Sequence, residues 1–374
     1  MAQIGFWFSA ALLFFTFVGY PILIAWMTRR ISTPEYAFEP CEVCVIVVAH
    51  NESQRILARI ENLLASDYPA EKLHILIVSD GSTDDTIATI SSLKNDRVRT
   101  IAQPERAGKA AGLNAGISAS TAPIVVFTDA RQTFAADTIR KLVTRLGDPK
   151  IGAVSGELQI AGTASGTGSG VDAYWKLERF LRARESRLDS CIGCTGAVYA
   201  IRRELFTPLP PDTVLDDVVV PMRIAIAGHR VVHESTALAF DPQSLEPVAE
   251  KRRKRRTLAG NFQMLFRYPA WLLPWRNRLW WQLIAHKYLR LAGPLLLVTA
   301  FLTNASLSGS HPFYRAALLL QAVFYLLAAL GMTLPLRLKI LTLPAGFVFL
   351  NAAVVSAFWN YLTNPDPARW QTRR

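Results

Sequence analysis

Hydrophobic and polar positions separate along this chain into zones. Residues 1–28 carry no charged side chain, and uncharged stretches recur at 291–314, 316–336 and 340–365. A helix crossing a bilayer core needs roughly 20 apolar residues, and each stretch supplies about that many. One charge near the bilayer centre costs about 2.5–3.5 kcal/mol on insertion scales. Four charge-free stretches therefore predict one N-terminal and three C-terminal transmembrane helices. No Lys or Arg precedes the first stretch, and Arg29-Arg30 follows it. That polarity is wrong for a cleaved leader and places the following domain in the cytoplasm. The tail carries Arg369, Arg373 and Arg374. With three C-terminal spans it ends outside, so either one stretch is re-entrant or interfacial, or the positive-inside rule fails here.

Residues 40–245 have another rhythm. Val45-Ile46-Val47-Val48, Leu73–Val78 and Ile124–Phe127 are short β-branched runs, each followed by a polar turn and separated by helical patterns. This predicts an α/β domain with a mostly parallel central sheet. Ligands in such sheets bind beyond the carboxyl ends of the strands. The stretch Gly162–Gly170 is glycine-rich but follows no strand in the way a phosphate-binding fingerprint requires.

Composition sharpens this division. Charged residues are 19% of the chain, below the roughly 25% of soluble domains. A 51% hydrophobic content excludes disorder. The net charge of +12 has one dominant source, the run Lys251–Arg256 (KRRKRR). A basic run alone suggests nucleic acid. Here Trp271, Trp275, Trp280 and Trp281 follow it, which suits a helix at a membrane interface. No nucleic-acid partner is expected. The cysteines fall as Cys41-x2-Cys44 and Cys191-x2-Cys194. Their separation excludes a compact zinc ribbon but not a long-range site, and buried free thiols are the simpler reading.

The turns after the strands carry the chemistry. Ala49-His50-Asn51-Glu52 follows the first, and Ser79-Asp80-Gly81-Ser82 the second. Gly108-Lys109 through Asn114 to Gly116 offers one cation among small residues. Thr128-Asp129-Ala130-Arg131 follows the third strand. Gly196 and Arg202-Arg203 come next, then Leu215-Asp216-Asp217 with Arg223. Each signal alone is weak. Their order is specific, and it resembles membrane-embedded family 2 glycosyltransferases of the cellulose-synthase and poly-N-acetylglucosamine-synthase-like group.

That resemblance covers almost the whole chain and implies the following. The fold is a GT-A (nucleotide-diphospho-sugar transferase) domain with transmembrane helices at both ends. The zones become a first membrane helix (1–30), a cytoplasmic catalytic domain (40–245), interfacial helices (246–285), C-terminal membrane helices (286–365) and a basic tail (366–374). The donor is a nucleotide sugar, commonly a UDP-sugar, bound by His50, Asn51, Glu52, Asp80, Lys109, Asn114, Asp129 and Arg131. Gly196 lies beside the acceptor. Asp217 is the general base, with Asp216 beside it able to raise its pKa. Arg253 and Arg256 occupy the Gln and Arg places of a Q-x-x-R-W motif and face the diphosphate, whereas Thr257 replaces the Trp. The missing aromatic platform puts processivity in question. Arg131 replaces the second Asp of D-x-D, and guanidinium has no acceptor for a cation. A divalent cation, Mg or Mn, would then have Asp129 as its one carried-over ligand, and Arg131 would suit the diphosphate.

These readings converge on an inverting transferase at the cytoplasmic face of the cell membrane. Its acceptor is a growing polysaccharide or a lipid-linked glycan. Export or polysaccharide-assembly proteins are natural partners beside the lipid bilayer. The rival readings are a single addition to a polyprenyl phosphate or glycolipid, and an inactive scaffold that binds nucleotide sugar.

Overall fold

A computed structural model describes residues 1–160, 169–241, 247–334 and 338–363, with the backbone alone at 169–174 and 247–253. The Gly162–Gly170 loop lies largely outside these, and the 366–374 tail entirely so. The chain divides into two compact units. One gathers Ile31–Gly162 with Glu185–Glu246; the other gathers Met1–Arg30, Thr163–Arg184 and Pro247–Asn364.

The first unit is built on one eight-stranded sheet: β1 Val43–Ala49, β2 Leu73–Asp80, β3 Val98–Gln103, β4 Ile124–Asp129, β5 Thr133–Phe134, β6 Ile151–Ile160, β7 Tyr199–Arg202 and β8 Arg230–Asp241. The spatial order is β3-β2-β1-β4-β7-β6-β8-β5. The three runs read from sequence are β1, β2 and β4, and they pair in parallel at the centre. Both faces of such a sheet are covered, which is why those runs are almost wholly apolar. Burial agrees: Val43, Val45, Ile46 and Val47 are 0% exposed. β3 extends this parallel half, and β7 turns the sheet antiparallel by pairing with β4 and β6. The sheet is thus mixed, its parallel half carrying the turns that hold the chemistry.

The helix Lys109–Ala119 packs against β1 through glycine. A Cβ on Gly112 would lie 2.6 Å from Val48 Cγ1, and one on Gly116 would lie 2.7 Å from Ile46 Cγ2. The small residues in this segment admit a strand, not a ligand.

Among the described residues, the second unit holds four helices long and apolar enough to cross a membrane: Ala2–Met27, Trp280–Leu307, Pro312–Thr333 and Lys339–Thr363. These coincide with the four charge-free stretches, except that the second begins earlier, at a Trp-rich turn. The basic run falls on the helix Pro247–Arg267. Farther along this helix, Ala259 and Phe262 pack with Val354 and Ala357 of the last apolar helix. Phe266 stacks on Tyr361. Glu178, on the helix Ser169–Leu188, is 5% exposed. It pairs with His286, Lys287 and Arg290 at 2.9, 2.9 and 3.0 Å, and with Arg182 at 3.9 Å.

Candidate active site

The turns after β1 and β2 are tied into one structure. Asn51 has φ +56°, a left-handed conformation that Asn tolerates. Its N–H donates to Ser82 Oγ at 3.2 Å, and its Oδ1 accepts from the Thr83 N–H at 2.8 Å. His50 Nδ1 lies 2.7 Å from the Asp80 carbonyl, which only accepts, so Nδ1 carries the proton. The Glu52 N–H donates to Thr86 Oγ1 at 2.9 Å. Asp84 accepts from Ser53 and Thr86. Burial would raise its carboxyl, but these bonds outweigh that and bring it down to about 2.

Asp80 reaches forward instead. It is 4% exposed, and its carboxylate accepts from the Ala107 N–H at 2.7 Å and the Gly108 N–H at 3.0 Å. Gly108 has φ +92°, a region that favours glycine. Asp80 therefore fixes the entry to the Lys109 helix.

Lys109 is the hub. Its Nζ donates to Asp129 Oδ1 at 2.9 Å and lies 3.5 Å from Asp216 Oδ2. Burial pulls the ammonium down, but Asp129, Asp216 and Asp217 together hold it above the usual lysine range. Asp216 is 4% exposed at the first turn of the helix Asp216–Ile226, where the dipole favours a carboxylate. Asp217 is more open. A Cβ on Gly196 would lie 2.9 Å from Asp217 Oδ2. Any side chain at 196 would strike that carboxylate, so glycine leaves room beside it.

Asn114 and Arg223 act on the segment leading to this pair. The Asn114 amide both donates to and accepts from the Leu209 backbone, at 2.8 and 2.9 Å. Arg223 donates to the carbonyls of Thr207 and Pro208 at 3.2 and 2.9 Å. Arg202 donates to the carbonyls of Leu146, Asp148 and Ile151.

Arg131 forms an ion pair at the end of β8. Its Nη2 donates to Asp241 Oδ2 at 2.8 Å, and Asp241 is 1% exposed at the end of β8. Gln132 donates to the same oxygen at 3.3 Å. Arg256 lies in the other unit, and the Arg253 side chain is outside the described residues.

Three residues escaped sequence reading. Asp241 ends β8, whose apolar segments Val231-Val232 and Ala237–Phe240 are split by the polar stretch His233–Thr236. Tyr199 is 0% exposed; burial, then Asp216 and Asp217, push its phenol well above the usual range. Arg59 is 1% exposed and donates to Thr128 Oγ1 at 2.7 Å. An Arg on an amphipathic helix normally reads as solvent-facing, so no local signal marked it.

The residues accept a divalent cation only in a limited sense. Among the described residues, no group of three or more His, Cys, Asp or Glu side chains is arranged to hold one. None of the four cysteines forms a disulfide. Asp129 remains, and magnesium is commonly held by one or two carboxylates plus substrate phosphates. A diphosphate-borne ion fits this site; an all-protein cage does not.

Residues 44–208 match the model of the Glycosyl transferase family 2. That stretch is a family 2 glycosyltransferase domain. Asp216 and Asp217 lie just beyond the matched stretch. An N-acetylglucosaminyltransferase of Rhizobium meliloti (strain 1021) is 33% identical over 197 residues, 48% of this chain and 45% of its own length. A poly-beta-1,6-N-acetyl-D-glucosamine synthase of Staphylococcus aureus (strain COL) is 26% identical over 205 residues, 53% of this chain and 49% of its own. The chain thus spans about half the length of the curated relatives it matches. The mannosyltransferase PcManGT from Pyrobaculum calidifontis, solved in complex with GDP-Man and Mn2+, superposes with a TM-score of 0.71 at 26% identity, over 96% of this chain and 98% of its own. The glycosyltransferase domain therefore has the GT-A fold.

Proposed function

We propose that the protein transfers a sugar, with inversion, from a nucleotide-activated donor to a glycan or lipid-linked acceptor at the cytoplasmic face of a membrane. The observation that carries this reading is Asp217, half-open beside Gly196, next to the ion-paired Lys109–Asp129–Asp216 cluster, of which Asp216 is buried. Inversion needs one base. Asp217 takes the proton of the acceptor hydroxyl as its oxygen bonds to the anomeric carbon. The bond from that carbon to the diphosphate oxygen breaks, and the nucleoside diphosphate leaves with the electron pair.

Charge supports a cation at this step. Three carboxylates face the Lys109 ammonium, so an arriving diphosphate meets an excess of negative charge. A divalent ion held by Asp129 and the phosphates would neutralise the leaving group, as the Mn2+ in the mannosyltransferase complex suggests. Lys109 adds a fixed positive charge that needs no rearrangement during the reaction.

The single-addition reading gains weight from two observations. Thr257 stands where a processive synthase carries its Trp. A structural likeness that spans nearly the whole chain is to a mannosyltransferase. The test is a donor panel. Detergent-purified protein is incubated with UDP-N-acetylglucosamine, GDP-mannose and other nucleotide sugars, with and without a membrane lipid extract. Nucleotide release that requires the lipid and yields one added sugar supports single addition. A long polymer from donor alone supports a synthase, and release from no donor leaves the scaffold reading standing.

A further inference from the structure

Arg59 is a buried charge with no place in the transfer described above. It lies on the helix Ile56–Leu64, and its guanidinium carbon sits 4.2 Å from the centre of the Phe134 ring. Its Nη1 donates to Asn62 Oδ1 at 2.6 Å and its Nη2 to Thr128 Oγ1 at 2.7 Å. Asn62 is itself held by the Phe134 backbone, accepting from its N–H at 2.8 Å and donating to its carbonyl at 3.0 Å. Both ends of the fork are therefore fixed.

The direction of the next bond follows from donor chemistry. Guanidinium only donates, so the Thr128 hydroxyl accepts from Arg59 and keeps its own proton to give away. It gives that proton to the Ala197 carbonyl at 2.8 Å. Thr128 immediately precedes Asp129, and Ala197 immediately follows Gly196. One hydroxyl thus joins the strand end carrying the donor-side carboxylate to the loop facing Asp217.

Packing alone does not account for a cation here. Burial pulls Arg59 down to about 9, against the opposing field of Asp129. An apolar side chain of similar size would fill this space without that desolvation cost. The charge is kept where it orients one hydroxyl.

We propose that Arg59, acting through Thr128, is a positioning residue that sets Asp129 in register with the Gly196–Ala197 loop and hence with Asp217. The proposal rests on the roles given to Asp129 and Asp217 above. It is tested on the full-length protein with the donor selected by the panel. Thr128→Val removes the hydroxyl, Thr128→Ser keeps it, and Arg59→Met removes the fork. The readouts are kcat, donor KM, thermal midpoint and binding of the free nucleoside diphosphate. Displacement of reacting groups by about 1 Å costs up to about 100-fold, so Thr128→Val should lower kcat at least about tenfold in protein that still binds nucleotide. Donor KM should move far less, and Thr128→Ser should recover most of the rate. If the two act in series, Thr128→Val added to Arg59→Met should cost little more than Arg59→Met alone. Wild-type kcat in folded Thr128→Val overturns the proposal, as does an equal loss in Thr128→Ser. Asp217→Asn, run beside them, separates the levels. If it turns over normally, the site reading falls and the proposal with it. If it is dead while Thr128→Val is normal, the proposal alone falls.

Discussion

Each unit of this protein contains a charged cluster built round one central group, and among the described residues the two clusters are near inverses. In the sheet-containing unit a single ammonium, Lys109, faces Asp129, Asp216 and Asp217. In the helical unit a single carboxylate, Glu178, faces Arg182, His286, Lys287 and Arg290. Both central groups are held firmly in their charged forms. They differ in access. Glu178 and its partners are mostly buried and come from the helices Ser169–Leu188 and Leu289–Leu307 and the π-helical turn Ile284–Tyr288, so the cluster fastens packed elements together. The Lys109 cluster instead stands where β4 ends and two helices begin, with Asp129 and Asp217 less buried than Asp216. The lesson is that the same ion-pair physics serves as a fastener when enclosed and as a binding site when one edge is open.

The largest test of that contrast is Asp217→Asn. Loss of a general base costs about 10²–10⁴ in rate, so kcat should fall by that factor while nucleotide binding and thermal midpoint stay close to wild type. Glu178→Gln should do the reverse. Removing one partner of a buried ion pair costs about 3–5 kcal/mol, read as a lower unfolding midpoint in detergent with kcat per folded molecule preserved. The pH dependence has a definite sign. The cations hold the Glu178 carboxyl well below its ordinary range, although burial alone would raise it. Its contribution is therefore fully present above the unfolded value of about 4.3 and is lost only as pH falls through the depressed folded value. Glu178→Gln should remove that acid-side loss. If Glu178→Gln instead abolished turnover in folded protein, the fastener reading would fail.

Next in size is Lys109→Met. It leaves Asp129 and Asp216 facing each other without their shared cation. A single lost electrostatic stabiliser costs about 10²–10³ in kcat, and nucleoside diphosphate affinity should fall with it. The smallest expected effect on turnover is that of Arg131→Asp, which restores a D-x-D pattern. It breaks the pairing with the buried Asp241 and sets a second carboxylate beside it, so stability should fall at least as far as in Glu178→Gln. Where turnover survives, the concentration of Mg or Mn needed for half-maximal rate should drop. An unchanged metal requirement would show that position 131 does not reach the diphosphate site in either form.

Legibility followed locality. The strands β1, β2 and β4 were readable because burial on both faces leaves a continuous apolar run. β3 was not, because its positions in the order Val98-Arg99-Thr100-Ile101-Ala102-Gln103 are partly exposed at the sheet edge. β6 carries Gly152 and Gly156 where neighbouring side chains crowd the backbone, which erases its apolar rhythm. The order of site motifs was readable, and the structure gathers His50, Asp80, Lys109, Asp129, Asp216 and Asp217 into one unit. What each side chain holds was not. Asp80 holds Ala107 and Gly108, Asn114 holds Leu209, and Arg131 holds Asp241. These are meetings between segments 27 to 110 residues apart, and no spacing rule encodes them. Arg59 belongs to the same class.

The glycines at 112 and 116 carry a consequence for how this sequence can drift. Each leaves no room for even a methyl group against Val48 and Ile46. Alanine at 112 becomes acceptable only if position 48 shrinks, and alanine at 116 only if position 46 does. The helix that presents Lys109 and the strand that leads to His50 are therefore bound to change in pairs. Among descendants of this chain, positions 48 and 112 should vary together or not at all, and so should 46 and 116.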